Sequence, residues 1–135
     1  MKLMIALLLG SCYTFALVFP LQDEKEFEGW MKTTSTSVSS LRKNIEGKMN
    51  DGAVQDAEKL AGIFKDVEGF WQARKIEDAV KWSQQSQTAA NEIAAAAKGG
   101  DFDKSGVSMK SLMSNCASCH MAHREKLAEG GYKIK

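Results

Sequence analysis

The chain has 135 residues, which is enough for one domain. Hydrophobic residues make up 44% of it and charged residues 26%, a composition typical of globular proteins and not of disordered or fibrous ones. Its 18 basic and 17 acidic residues give a net charge of +1, so the basic excess expected of a dedicated nucleic-acid binder is missing, and no nucleic-acid partner is predicted.

Residues 1–20 have the plan of an export signal. A lysine precedes an apolar run, Leu3–Leu21, and the sequence becomes polar from Gln22. This order is typical of a secretory signal peptide. The apolar run is also about long enough to span a bilayer, so an uncleaved N-terminal membrane anchor is the main alternative, and a lipoprotein cleavage box at Cys12 is a third. Each alternative places residues 21–135 outside the cytoplasm, in a periplasmic or secreted domain.

Four amphipathic helices are predicted in residues 21–135, because apolar residues recur there at three- and four-residue steps. No segment alternates with period two, so no strand is expected. Helices of this length with short connections predict an all-α, antiparallel four-helix bundle. The segment 72–75 contains neither Gly nor Pro, which leaves open a continuous helix there. The predicted helices are Glu24–Lys48, Val54–Trp71, Ile76–Lys98 and Ser105–Ala128.

The motif that carries chemistry lies near the end of the fourth predicted helix. Residues 116–120 read Cys-Ala-Ser-Cys-His, the C-x-x-C-H signature of c-type haem attachment. Cys116 and Cys119 lie three residues apart on one helical face, where both thiols can add to the vinyl groups of a porphyrin. The imidazole of His120 can then reach the iron from one side. This attachment takes place outside the cytoplasm, so the export signal and the motif are consistent with each other. Together they predict one covalently bound haem c.

Two alternatives to haem remain open. Cys116 and Cys119 can form a disulfide or a redox-active thiol pair in an oxidising compartment. The cysteines, His120 and His123 are also the ligand types that zinc prefers, but they follow one another along a single helical face. One helix cannot wrap four such ligands tetrahedrally around a metal, so haem is the favoured interpretation.

The chain resembles the class II cytochromes c, the cytochrome c′ group. Its motif is similar to the CxxCHxx(Tyr/Phe)Arg pattern of that family: Arg124 matches, and His123 stands in place of the aromatic residue. The resemblance covers essentially the whole exported part, but its specific positions are confined to the fourth helix and to Trp30-Met31-Lys32. Since cytochromes c′ are up-and-down four-helix bundles, it implies a bundle with haem attached near the C-terminus of the fourth helix.

The resemblance also implies the residue on the other side of the iron. Electron-transfer members have a methionine followed by lysine early in the first helix, and Met31-Lys32 matches that pattern. Met31 lies on the same apolar stripe as Phe27, so the residue pattern agrees that it points inward. We therefore expect His120 and Met31 as the two iron ligands, whereas Arg124 either contacts a haem propionate or extends a solvated charge run.

The sequence thus predicts a monohaem c-type cytochrome that carries single electrons and is not an enzyme. A methionine ligand gives a six-coordinate haem with a raised potential, whereas an open position gives a five-coordinate haem that binds nitric oxide or carbon monoxide. The gas-binding protein is the first alternative, and a zinc or thiol module is the second. The partners would be redox proteins, and pairing of two bundles into a homodimer is also compatible with the pattern.

Overall fold

The computed structural model describes residues 23–135. These residues form four packed α-helices and a short antiparallel ribbon, so the predicted all-α four-helix bundle is confirmed. The predicted export signal or anchor, residues 1–20, lies outside the described residues. The elements are α1 (Glu24–Glu46), α2 (Asn50–Arg74), α3 (Glu77–Lys98), α4 (Phe102–His123), β1 (Arg124–Lys126) and β2 (Tyr132–Ile134).

Within residues 23–135, none of the helices combines the length and the apolar character that crossing a bilayer requires.

Two of the four helices begin at a side-chain cap. The carboxylate of Asp23 accepts the backbone N–H of Glu26 at 2.7 Å, and that of Asp101 accepts the backbone N–H of Lys104 at 3.0 Å. Both carboxylates satisfy an N–H that has no partner inside the helix, and their negative charge is favourable at a helix N-terminus. The two capped helices are α1 and α4, the first and last helices of the bundle.

The chain reverses between α2 and α3 within two residues. Lys75 adopts a left-handed conformation with φ of 58°, and its backbone N–H bonds the carbonyl of Gln72 at 3.0 Å. A left-handed residue ends a helix because the next residue can no longer continue the regular hydrogen-bond ladder. The continuous helix that the sequence left open is therefore wrong, and α2 and α3 are separate antiparallel neighbours.

The fourth helix is shorter than predicted, and the expectation of no strand is wrong. α4 ends at His123 instead of Ala128, because Arg124 takes an extended conformation and begins β1. β1 pairs with β2 in the register Arg124↔Ile134, and two glycines with positive φ, Gly130 and Gly131, turn the chain between them. Strands of three residues are too short to show a period-two pattern in the sequence.

The helices pack mainly on their neighbours in sequence. α1 packs on α2, α2 on α3 and α3 on α4, whereas α1 and α4 meet at few points. Side-chain hydrogen bonds follow the same order: Asn44 donates to Asp56 at 2.8 Å between α1 and α2, and Gln87 donates to Glu68 at 2.6 Å between α2 and α3. The largest fully buried side chains are Phe70, Leu41, Leu60, Ile93 and Leu112. The core is therefore continuous through the bundle except along the seam between α1 and α4.

Candidate functional site

A cleft of about 750 Å³ opens along the seam between α1 and α4. Its two walls come from these helices, its floor comes from α2 and α3, and the ribbon residues Tyr132 and Ile134 border one end. The volume lies within the range of roughly 300–1,000 Å³ that is usual for small-molecule and cofactor sites. Apolar side chains on its floor and walls include Phe64, Val67 and Val38. The cleft can thus enclose a largely apolar molecule between the first and last helices.

All five residues that the sequence singled out line this one cleft. Met31 lies on the α1 wall, Cys116, Cys119 and His120 lie on the α4 wall, and Arg124 follows directly after α4. Met31 and the three motif residues are half-buried, whereas Arg124 is exposed. The fold therefore brings together two groups of residues from opposite ends of the described chain.

The two cysteines share one face of α4 because they are three residues apart. Neither forms a disulfide. Burial raises the pKa of the Cys116 thiol to about 11, and burial together with the neighbouring Cys116 and Asp78 raises that of Cys119 to about 11. Both thiols are therefore protonated at neutral pH. Since the thiolate is the species that attacks disulfides, this environment does not suit a thiol-exchange module.

The imidazole of His120 lies one residue beyond the second cysteine, in the last turn of α4. Burial lowers the pKa of His120, and the positive charge of Arg124 lowers it further. The neutral ring is therefore favoured near pH 7. A neutral imidazole nitrogen is the form that ligates a metal, so the surroundings of His120 suit an iron ligand.

An aromatic cluster holds the α1 wall in place around Met31. The ring of Phe27, one turn before Met31, lies 4.3 Å from the ring of Phe70 and 5.4 Å from that of Trp71, centroid to centroid. Aromatic pairs at these separations contribute roughly 0.5–1.5 kcal/mol beyond their buried area. The contacts fix the start of α1 to the end of α2, so the position of Met31 in the cleft is set by packing.

Lys32 follows Met31 and also lines the cleft, but 76% of its side chain is exposed to solvent. Its ammonium group pairs with Glu28 at 2.7 Å, one turn earlier on the exposed face of α1. The hydrogen bond from Lys32 and its positive charge hold the pKa of Glu28 below its ordinary value. An exposed pair of this kind adds little stability. Met31 is therefore half-buried in the cleft wall, whereas Lys32 lines the same cleft with an exposed side chain.

Arg124 lies at the end of the cleft where the ribbon begins. Its guanidinium carbon lies 3.9 Å from the centre of the Tyr132 ring, a cation–π contact across the two strands. The ribbon therefore holds Arg124 beside the cleft, where a guanidinium can pair with a carboxylate.

His123 contacts a residue outside the motif. Its Nε2 lies 2.9 Å from Oδ1 of Asp78 in the first turn of α3, and its ring lies 5.2 Å from the ring of Trp71 and 6.1 Å from that of Trp82. Asp78 is therefore the hydrogen-bond partner of the His123 ring. Over residues 23–135, no group of three or more His, Cys, Asp and Glu side chains converges as a metal site would require.

Two cleft residues were not recognised from the sequence. The side chains of Thr34 and Trp71 are buried, with exposed fractions of 8% and 2%, yet Oγ1 of Thr34 and Nε1 of Trp71 have no hydrogen-bond partner. Buried polar atoms in native proteins are nearly always paired, so each of these donors needs a partner. A threonine on an apolar helical stripe was the available signal for Thr34. For Trp71, the sequence contains no signal that its indole N–H would lack a partner, because any core tryptophan has the same donor.

The residues of the cleft fit a covalently held haem. Two thiols and a neutral imidazole lie on one wall, a thioether lies on the other, and a guanidinium lies at one end. Cys116 and Cys119 could hold the porphyrin, and His120 and Met31 are the nitrogen and sulfur ligands that iron accepts in c-type sites. Two residues of its lining, Thr34 and Trp71, also carry buried donors that have no partner among the described residues.

Comparison of the chain with family models, with curated proteins and with solved structures finds no match. The functional assignment therefore depends on the geometry and chemistry of this cleft.

Proposed function

We propose that the chain is a monohaem c-type cytochrome of the class II type that carries single electrons outside the cytoplasm and has no enzymatic activity of its own. The observation that carries this proposal is the juxtaposition of the C-x-x-C-H motif on α4 and Met31 on α1 across one cleft. When bound, haem c supplies an iron that changes its oxidation state by one electron. The export signal in residues 1–20 supports attachment outside the cytoplasm.

The chain's own residues have separate tasks in this proposal. Cys116 and Cys119 hold the porphyrin through thioether bonds, and His120 binds the iron from the α4 side. Met31 binds it from the α1 side, and a thioether at that position raises the reduction potential. Arg124 neutralises a propionate charge at the end of the cleft. The apolar floor, which includes Val67, limits the access of water to the iron.

The first test is whether haem attaches. The full chain is produced in a bacterial host whose periplasm matures c-type cytochromes, and its intact mass is measured. We expect the mass of the exported chain plus one haem, and a pigment that survives acid-acetone extraction. Cys116→Ser and Cys119→Ser should each prevent stable holoprotein formation. Ser118→Ala, which lies between the cysteines and leaves both thiols intact, is the matched control and should retain the haem.

Absorption spectra of the oxidised and reduced protein then separate the two cytochrome functions. A low-spin spectrum that carbon monoxide does not alter supports the electron carrier. A high-spin spectrum with ready carbon monoxide binding would assign the protein to the gas-binding alternative. A colourless protein that contains one zinc per chain would refute both cytochrome functions, and the zinc module would then be the remaining interpretation.

A further inference from the structure

We propose that the hydroxyl of Thr34 and the indole N–H of Trp71 donate hydrogen bonds to the carboxylates of the molecule held in the cleft. This inference rests on the proposed function, in which that molecule is haem and the carboxylates are its two propionates. Both residues line the cleft, and both donor atoms are buried without a partner. They come from different helices, α1 and α2, so two separate elements of the cleft lining each carry an unpaired buried donor.

The environment of Thr34 differs from that of its neighbours on α1. Thr33 and Thr36 each donate their hydroxyl to the carbonyl four residues earlier, Gly29 at 3.0 Å and Lys32 at 3.1 Å. Such local bonds are the ordinary outcome for a helical threonine. Thr34, which faces the cleft, makes no such bond. Its hydroxyl therefore stays available to a group inside the cleft.

The indole of Trp71 is packed among aromatic neighbours. Its ring lies 5.1 Å from that of Phe70 and 5.2 Å from that of His123, with Phe27 packed against it from α1. An indole nitrogen is a donor only, so it can be satisfied only by an acceptor. The described residues provide no acceptor for this atom, so a group of the bound molecule can serve as its partner.

The chemistry of haem restricts what that acceptor can be. The periphery of a haem c molecule is hydrocarbon and thioether apart from its two propionates, so its carboxylate oxygens are the acceptors it brings to a buried donor. An ionised carboxylate that leaves water needs donors and positive charge to compensate its lost hydration. Thr34 and Trp71 supply the donors, and Arg124 supplies the positive charge at the end of the cleft.

The test uses holoprotein, the near-isosteric variant Thr34→Val and the variant Trp71→Phe, which keeps an aromatic ring but removes the indole N–H. The midpoint potential is measured as a function of pH, which gives the apparent pKa of the propionates, and the propionate bending bands are recorded by resonance Raman spectroscopy in H₂O and D₂O. Loss of one donor should raise the apparent propionate pKa by on the order of one unit, lower the midpoint potential at neutral pH and abolish a deuterium-sensitive shift. Thr34→Ser, which restores the hydroxyl, should behave as the wild type.

Two control variants carry the same types of substitution, Thr→Val and Trp→Phe, at positions where we expect no effect. Thr33→Val removes an exposed hydroxyl already bonded within α1, and Trp30→Phe alters a tryptophan of α1 that does not line the cleft and whose indole nitrogen is not a buried unpaired donor. Titrations of Thr34→Val and Trp71→Phe that coincide with the wild type would overturn the inference and leave ordered water as the partner. A wild-type protein without covalent haem would overturn the proposed function as well, and the intact mass distinguishes the two failures.

Discussion

His123 at the end of α4 and Asp78 at the start of α3 lie 2.9 Å apart, from Nε2 to Oδ1. The histidine ring is largely buried, with 17% of its side chain exposed, whereas the Asp78 side chain is about half exposed at 51%. Because His123 is one turn beyond His120, this contact anchors the helical turn that carries the proposed iron ligand. The contact therefore connects the packing of α3 against α4 to the position of His120 in the cleft.

A double-mutant cycle on His123→Ala and Asp78→Ala should measure this contact directly. We expect a coupling free energy of about 0.5–1 kcal/mol, because one partner is half exposed and solvent weakens the pair. The measurement is urea unfolding of the wild type, both single variants and the double variant. The same cycle on Glu28 and Lys32, a pair on the exposed face of α1, should give a smaller coupling. Additive effects at His123 and Asp78 would contradict the prediction.

Replacement of Met31 by alanine should open one side of the iron. The thioether bonds are untouched, so the haem should remain attached, but the spectrum should change from low-spin to high-spin and carbon monoxide should bind readily. The midpoint potential should fall with the loss of the thioether ligand. Met121→Ala is the control, because Met121 is adjacent to His120 in sequence but 74% exposed. A wild-type protein that is already high-spin, with carbon monoxide binding unaltered by Met31→Ala, would refute the ligand assignment.

Replacement by alanine should change the stability of the protein differently at two glycines inside α2. Gly62 has no atom within 4 Å of the position that a Cβ would occupy, so Gly62→Ala should stabilise the protein by about 0.5–1 kcal/mol through helix propensity. A Cβ on Gly52 would lie 2.7 Å from the amide of Asn44, which donates to Asp56. Gly52→Ala should therefore lose that hydrogen bond and bring no gain. Thermal unfolding of the two variants checks the contrast, and equal stabilisation would contradict it.

Phe70→Ala should be strongly destabilising, by roughly 3–5 kcal/mol. The side chain is fully buried and packs 4.3 Å from the ring of Phe27, so its removal leaves a cavity where α1 is seated on α2. Val107→Ala, at a position 63% exposed on α4, should change the free energy of unfolding by less than about 0.5 kcal/mol. Urea unfolding of the holoprotein measures the free energy of unfolding of both variants. A small effect of Phe70→Ala would show that α1 is not held by this cluster.

The helices could be predicted from the sequence because their apolar residues repeat with the helical period. The break between α2 and α3 was predicted as well, but a continuous helix stayed open at residues 72–75, since a lysine in the left-handed conformation carries no signal comparable to Gly or Pro. The ribbon from Arg124 to Ile134 was missed for a similar reason: its strands are too short for alternation to appear, and helical spacing extended by chance through Leu127. Local patterns thus located the elements, and tertiary context decided where two of them end.

For the candidate site, the C-x-x-C-H motif identified Cys116, Cys119 and His120 on its own, while Met31 required a family resemblance. The resemblance implied that Met31 and His120 lie close together, but the residue pattern alone could not show it, because the cleft depends on how α1 and α4 diverge along their seam. Which buried donors lack a partner is a property of packing, so Thr34 and Trp71 emerged only from the structure.

The sparse contact between α1 and α4 has a consequence for the order in which the protein folds. Nearly all helix packing joins neighbours in sequence, and domains dominated by such local contacts fold fast. Closing the first helix onto the last is the exception, because it spans the longest loop and costs the most chain entropy. Haem bound to α4 would give α1 a surface to close on. We therefore expect the contact between α1 and α4, and not the packing of α1 on α2, to form last and to depend on the bound haem.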